Sequence, residues 1–199
     1  MTTRLITVKP SKASWFDEWY VQHGPLCYNS LEDREKLKGN TVGSRSDIEL
    51  SYIAGFLDGD GSIMLQLKKR SDTSRGYRFM ATVCLYQDSR HDTPLHWIRD
   101  ILGAGYVTTR NDSISELRIN GFETVRKALT DLQPFIRFKV LQAEAMIRAC
   151  QILERGIHNL NEQEIVEVID MALLIQRENY KAHRKKSREE MLRIFGLTP

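Results

Sequence analysis

"SYIAGFLDGDGSI", residues 51–63 of a 199-residue chain, starts as an apolar helix. It ends on Gly59, Asp60 and Gly61, and a strand-patterned run begins at once behind them. A plain core helix gains nothing by running into a carboxylate boxed between two glycines. An acid held on rigid backbone, with room for something to approach it, uses that arrangement. Ser46 with Glu49 three residues later forms a capping box, which predicts a helix from Asp47 to about Leu57 that stops at Gly59. Ser51, Gly55 and Gly59 are spaced by four and share one stripe of that helix. Small residues on a stripe serve either tight packing within one chain or close crossing of two copies of the helix. In the second case both copies of Asp60 emerge at one junction, where a hard divalent cation offsets their repulsion. Asp58 reads as support for the turn rather than as a metal ligand.

Behind the motif, "SIMLQLKKR" (62–70) alternates with period two, Ile63, Leu65 and Leu67 facing one way and Ser62, Met64, Gln66, Lys68 and Arg70 the other. After the loop "RSDTSRG", the run "YRFMATVCLY" (77–86) alternates again. Phe79, Ala81, Val83 and Leu85 face inward, and Arg78, Met80, Thr82, Cys84 and Tyr86 outward. Together these predict an antiparallel hairpin with one buried face. Residues 92–102 carry Leu95, Ile98 and Leu102 at helical spacing, with Asp92 as cap, Pro94 in the first turn, and Gly103 and Gly105 as the stop. "YVTTR" and "ISELRIN" make a second hairpin across "NDS", and Gly121 opens a helix to about Leu132. The predicted fold is α+β, in the order αββαββα, with a four-stranded antiparallel saddle sheet and helices on one face. Further helices are expected at about 138–155 and 161–180, followed by a basic tail with its own capping pattern, Ser187 to Glu190. The expected organisation is an extension over 1–45, a core over 46–160 and a helical extension over 161–199. The extension joins an aromatic stretch, "WFDEWYVQ", to a polar, linker-like one.

Composition bounds the function classes. Hydrophobic residues make up 41% and charged residues 28%, as in a soluble globular protein. No apolar run approaches the roughly 20 residues that cross a bilayer, and the N-terminus lacks the apolar segment of a signal peptide. Cys27, Cys84 and Cys150 have no metal-binding spacing and read as free thiols of a reducing compartment. The net charge is only +3, but Lys68, Lys69, Arg70, Arg75 and Arg78 stand against the single acid Asp72, and "RENYKAHRKKSR" (177–188) adds a second basic run. Such patches suit a phosphate backbone, and equally a solvated surface. The open sheet face is expected to carry Gln66, Lys68, Arg70, Arg78, Thr82, Thr108, Arg110, Glu116, Arg118 and Asn120. Arg, Lys, Gln and Asn there can make hydrogen bonds to base edges, and a two-stranded ribbon fits the major groove.

"IAGFLDGDG", Ile53 to Gly61, resembles the signature of the LAGLIDADG homing endonucleases. "DGDGSI", "GAGYV" (103–107) and "LQPFIRFK" (132–139) follow in the order of the single-motif, homodimeric branch, so the resemblance spans roughly 47–155. It implies an enzyme, a site-specific DNA endonuclease of the intron-encoded type that hydrolyses both strands of a long, near-palindromic duplex with Mg2+ or Mn2+. Asp60 is then the metal-binding acid, and Gly59 offers its carbonyl to the metal. Gln87 positions solvent, Lys139 organises water and balances charge, and His91 takes the place of a basic residue near the scissile phosphate. Gln66, Lys68, Arg70, Arg75, Arg78, Thr82, Thr108, Arg110, Glu116 and Arg118 become the DNA-binding set. Ser51, Tyr52, Gly55, Phe56 and Gly59 become the dimer interface. Only one motif copy is present, so cutting two strands with one acid per chain requires a homodimer, and the two-fold axis implies a pseudo-palindromic target.

Two readings compete. An RNA maturase that assists splicing of its host intron would use the basic tail and aromatic N-terminus. A non-cleaving DNA-binding regulator would use the sheet alone. Neither needs Asp60, Gln87 and Lys139 together. An intracellular protein is expected, of an organelle such as the chloroplast or mitochondrion, where the resemblance places many relatives, or equally of a bacterium; the lack of a long apolar run leads to no expected membrane partner.

Overall fold

The computed structural model describes residues 46–71, 76–179 and 186–198, all within one compact unit, Gly43–Pro199. The readings of residues 1–45, of Cys27 and of Arg75 lie outside the described residues, as does half of the basic run at 177–188, residues 180–185. Helix α1 (Asp47–Asp60) leads into strands β1 (Gly61–Lys69) and β2 (Tyr77–Asp88), then a 3-10 turn at Ser89–His91. Helix α2 (Thr93–Leu102), strands β3 (Tyr106–Thr109) and β4 (Ile114–Asn120) and helix α3 (Phe122–Leu132) follow. Past a 3-10 turn at Gln133–Phe135 come α4 (Val140–Leu153), α5 (Glu162–Glu178) and α6 (Arg188–Ile194). The sheet order is β1-β2-β4-β3, and every pairing is antiparallel. This is the predicted αββαββα arrangement.

Each element follows from its local sequence. The Ser46 hydroxyl accepts the Glu49 N–H at 3.2 Å and the Glu49 carboxylate accepts the Ser46 N–H at 3.0 Å, completing the capping box. Helix α1 then buries Leu50, Ile53, Ala54, Leu57 and Asp58, four apolar positions on one face plus one acid. In α3 the buried set is Val125, Ala128, Leu129 and Leu132, again one face. Helix α4 is buried on most of its circumference, from Gln142 to Leu153, because it lies between α3 and α5. The end of α5 is tied to the sheet by Asn179 Nδ2, which donates to the Ile63 carbonyl at 2.9 Å. Beyond it Phe195 stacks on Phe79 with ring centroids 5.4 Å apart. Among the described residues no helix is long and apolar enough to cross a membrane.

Several details depart from the sequence reading. Helix α1 does not stop at Gly59 but runs on through Asp60, since the Gly61 N–H still closes onto the Leu57 carbonyl. Asp92 sits at the N-cap of α2 without capping it; its carboxylate instead accepts the Ser115 hydroxyl at 2.7 Å. Cys84, expected on the outer face, is fully buried, and so is the other described cysteine, Cys150. At the C-terminal capping site the Ser187 hydroxyl accepts the Glu190 N–H at 3.1 Å, while the Glu190 carboxylate goes to Lys186.

Gly61 is where the opening motif becomes steric necessity. A Cβ there would stand 2.5 Å from Leu57 Cδ1, 2.7 Å from the Leu57 carbonyl oxygen and 2.9 Å from its Cα. With φ at −106° the backbone itself would tolerate alanine, so the obstacle is contact rather than conformation. The chain can fold from helix straight into strand only without a side chain at this residue. Gly61→Ala is therefore expected to destabilise the protein by about 1–3 kcal/mol, as overpacking typically does. Urea unfolding checks this, and an unchanged midpoint would contradict it.

Candidate functional site

The last turn of α1 holds two carboxylates two residues apart with opposite surroundings. Asp58 is buried, whereas Asp60 is exposed. The Asp58 carboxylate accepts three consecutive backbone N–H groups from the loop before α4: Oδ2 takes Arg137 at 2.7 Å and Phe138 at 3.1 Å, and Oδ1 takes Lys139 at 2.9 Å. Lys139 returns from its other end, donating Nζ to the Asp58 carbonyl at 2.5 Å. That carbonyl belongs to the last turn, where helices leave acceptors unsatisfied and favour a cation. Asp60 has no hydrogen-bond partner among the described residues, and its negative charge is felt at Lys139. Burial lowers the Lys139 ammonium below the usual lysine range, against the opposing pull of Asp58 and Asp60.

Among the described residues the stripe of small residues is unfilled. A Cβ at Gly55 or at Gly59 would meet none of their atoms within 4 Å, so packing among the described residues does not require glycine at either place. Ser51 and Tyr52 on the same side are exposed, and Phe56 is half-buried. The open face continues into Ile48, exposed to 82%. Trp97 of α2 meets the Tyr52 ring edge-on at 5.7 Å. Tyr52, Thr93, Pro94 and Trp97 line an open groove of about 410 Å3.

Gln87 and His91 follow from β2. Gly61 pairs with Leu85, so the strand runs past the end of α1 and Gln87 comes two residues later. Gln87 is half-buried and has the parity of Leu85, which places it on the helix-covered side of the sheet. Its Oε1 accepts the Asp88 N–H at 2.8 Å. His91 is exposed in the 3-10 turn. Hydrogen bonds from the Arg90 side chain and backbone hold the Asp88 carboxyl well below the usual range, with a smaller contribution from the nearby His91.

The opposite, uncovered sheet face carries most of the expected polar set. Gln66, Lys68, Arg70, Arg78, Thr108, Arg110 and Asn120 are exposed, and Arg118 is half-exposed. Two members do not fit the expectation: Thr82 and Glu116 are each only 4% exposed. The reason is lateral crowding at the middle of the sheet. Thr82 sits between Met64 and Asn120 in register and donates its hydroxyl to Asn120 Oδ1 at 2.9 Å. Glu116 forms an ion pair with Arg118 and accepts the Cys84 thiol at 3.5 Å. Burial pushes Cys84 up to about 11 and Tyr86 up to about 12, so both are neutral at pH 7. The centre of this face is a fixed polar network around one charge pair.

Residues 53–141 match the LAGLIDADG endonuclease family. The chain is 34% identical over 108 residues to the DNA endonuclease I-CreI of Chlamydomonas reinhardtii, covering 52% of this chain and 63% of that one. It is 31% identical over 101 residues to the DNA endonuclease I-CvuI of Chlorella vulgaris, covering 51% and 63%. The match thus spans less than two thirds of either relative's length. The crystal structure of I-CvuI bound to the I-CreI target with magnesium and uncleaved DNA superposes at a TM-score of 0.65. It is 25% identical, covering 75% of this chain and 93% of that one.

Asp58 is the residue of this site whose reach the sequence did not disclose. The only signal was the loop "IRFK" itself, whose amides need an acceptor. On the sheet face, Arg118→Leu leaves the buried Glu116 carboxylate with a weak thiol donor. It is expected to cost about 1–3 kcal/mol, and adding Glu116→Gln should recover most of the loss. Urea unfolding of the single and double variants decides it.

Proposed function

We propose that this chain is a metal-dependent, site-specific DNA endonuclease that works as a homodimer and hydrolyses both strands of a long, pseudo-palindromic duplex. The observation that carries this reading is the combination at α1: an exposed acid whose carboxylate has no hydrogen-bond partner among the described residues, at the end of a helix face whose glycines no described residue fills. Among the described residues no group of three or more His, Cys, Asp or Glu side chains could hold a metal. Asp60 supplies one carboxylate and must be complemented from outside, by a second copy and by DNA phosphates. A second copy crossing at Gly55 and Gly59 would cover the open stripe, and Tyr52, Ile48 and Trp97 beside it would lose their exposure. The two I-CvuI and I-CreI relatives are DNA endonucleases by name, which supports carrying the activity to this core.

The donor set fits a hard divalent ion such as Mg2+ or Mn2+. The Asp60 carboxylate and the Gly59 carbonyl are oxygen ligands, and Mg2+ is commonly held by one or two carboxylates plus phosphates and water. A divalent ion bound there would polarise the phosphodiester and lower the pKa of attacking water. The chain's own residues do the rest. Lys139, its ammonium held over the end of α1, places positive charge where negative charge develops. Gln87 lies on the adjoining strand to orient solvent, and His91 sits where an exposed base can approach a phosphate. Gln66, Lys68, Arg70, Arg78 and Arg110 face outward for bases and phosphates. Arg118, braced by Glu116, presents a guanidinium of fixed orientation to a base edge. Thr82 and Glu116 support that face from beneath rather than touching DNA.

Selection for cleavage in a pool of randomised duplexes with Mg2+, with and without chelator, tests the reading and supplies the target. Cleavage that stops on chelation supports it; no cleavage of any duplex would end it. On the selected target Asp60→Asn is expected to lower the cleavage rate by a factor on the order of 1,000 or more while binding persists. Wild-type cleavage by that variant would remove Asp60 from the chemistry. Gly55→Leu should push two helices apart, and sedimentation should show monomer at concentrations where the unmodified protein is dimeric. An undisturbed dimer would refute the crossing.

A further inference from the structure

The geometry points to Asp58 as the positioning residue for Lys139, fixing both ends of that side chain at the place where the reaction occurs. This inference rests on the nuclease reading and extends it to a residue that touches neither metal nor substrate. Asp58 collects three successive amides, those of Arg137, Phe138 and Lys139, at 2.7, 3.1 and 2.9 Å, across 79 to 81 residues of chain. The third of these amides belongs to Lys139 itself, and the Lys139 Nζ lands 2.5 Å from the carbonyl oxygen of the same Asp58. One residue therefore fixes where the Lys139 backbone starts and where its ammonium ends. A flexible four-carbon stem anchored at both ends loses most of its freedom before DNA arrives, which is the condition for precise placement of charge.

The clamp requires a carboxylate of this length. Both oxygens are used, one for two amides and one for the third. An asparagine has one acceptor oxygen, and its NH2 would oppose at least one N–H. A glutamate keeps the charge but moves it by one methylene. Ile136, only 2% exposed, is also buried in the core, so the loop does not depend on Asp58 alone for its attachment. Loss of the clamp should then loosen 137–139 without unfolding the core.

A double-mutant cycle tests the assignment, using Asp58→Asn and Lys139→Met on the selected duplex. Single-turnover cleavage is measured in Mg2+, duplex binding in Ca2+, and folding by circular dichroism. Asp58→Asn is expected to slow cleavage by about 10–100-fold with binding within about threefold, the size of effect that small misplacement produces. In the Lys139→Met background the same substitution should slow cleavage little further, since its target is already gone. A merely structural role would lower the rate by the same factor in both backgrounds, and that outcome would overturn the assignment. So would wild-type cleavage by Asp58→Asn. If Asp58→Asn does not fold, Asp58→Glu carries the same expectation, and failure of both to fold would show a structural role only. Should the unmodified protein cut nothing, the nuclease reading fails. Should it cut and Asp58→Asn cut equally, only this inference fails.

Discussion

Three backbone N–H groups converging on the buried Asp58 carboxylate hold the end of α1 against the loop that starts α4. The remainder of the site depends on that bond set. A buried carboxyl group is tolerated only when its oxygens are hydrogen-bonded, and here both are. With the helix end fixed, Gly61 turns the chain directly into β1 at a point where no side chain would fit. Asp60, between them, is left with a defined backbone and an unconstrained carboxylate. Rigidity beneath and openness above is the arrangement that a metal-binding acid requires.

The two sheet faces divide in the same manner. One is sealed by α1, α3 and the longer C-terminal helices, with Ile63, Leu85, Leu117 and Ile119 at most 1% exposed. Side chains buried to this degree contribute about 1.5–3 kcal/mol each, which sets the sheet's curvature and register firmly. The other face is polar but not uniformly available. Its rim of Gln66, Lys68 and Arg78 is exposed, as is Arg110, which is paired with Asp112. Its centre is already engaged, Arg118 with Glu116 and Thr82 with Asn120. Preformed orientation at the centre and adaptable cations at the edge together suit recognition of a polyanion with sequence content.

Much of this was legible in the sequence because the governing signals are local. Capping at Ser46, alternation in 62–70 and 77–86, and the Gly103 stop each depend on residues within a few positions. What escaped was lateral or long-range. Alternation assigned Thr82, Cys84 and Glu116 to the outer face correctly by direction but not by accessibility. Burial there depends on neighbours across the four strands, Ser62, Cys84, Arg118 and Tyr106 forming one such row. The last residues of α1 were missed because glycine and aspartate suggest a stop, whereas a hydrogen bond from Gly61 carries the helix onward. Asp58 looked like turn chemistry, and its true partners lie some eighty residues away. The glycine stripe left two readings open; the space around Gly55 and Gly59, which no described residue fills, favours the crossing of two copies.

The central claim is that Asp60 functions at a junction of two copies. A crystal structure of the protein on its selected duplex with Ca2+ tests it most directly. The account predicts two copies related by a two-fold axis, with the Asp60 carboxylate of each bound to cations between the α1 ends. One copy on the duplex, or Asp60 remote from every bound cation, would contradict it.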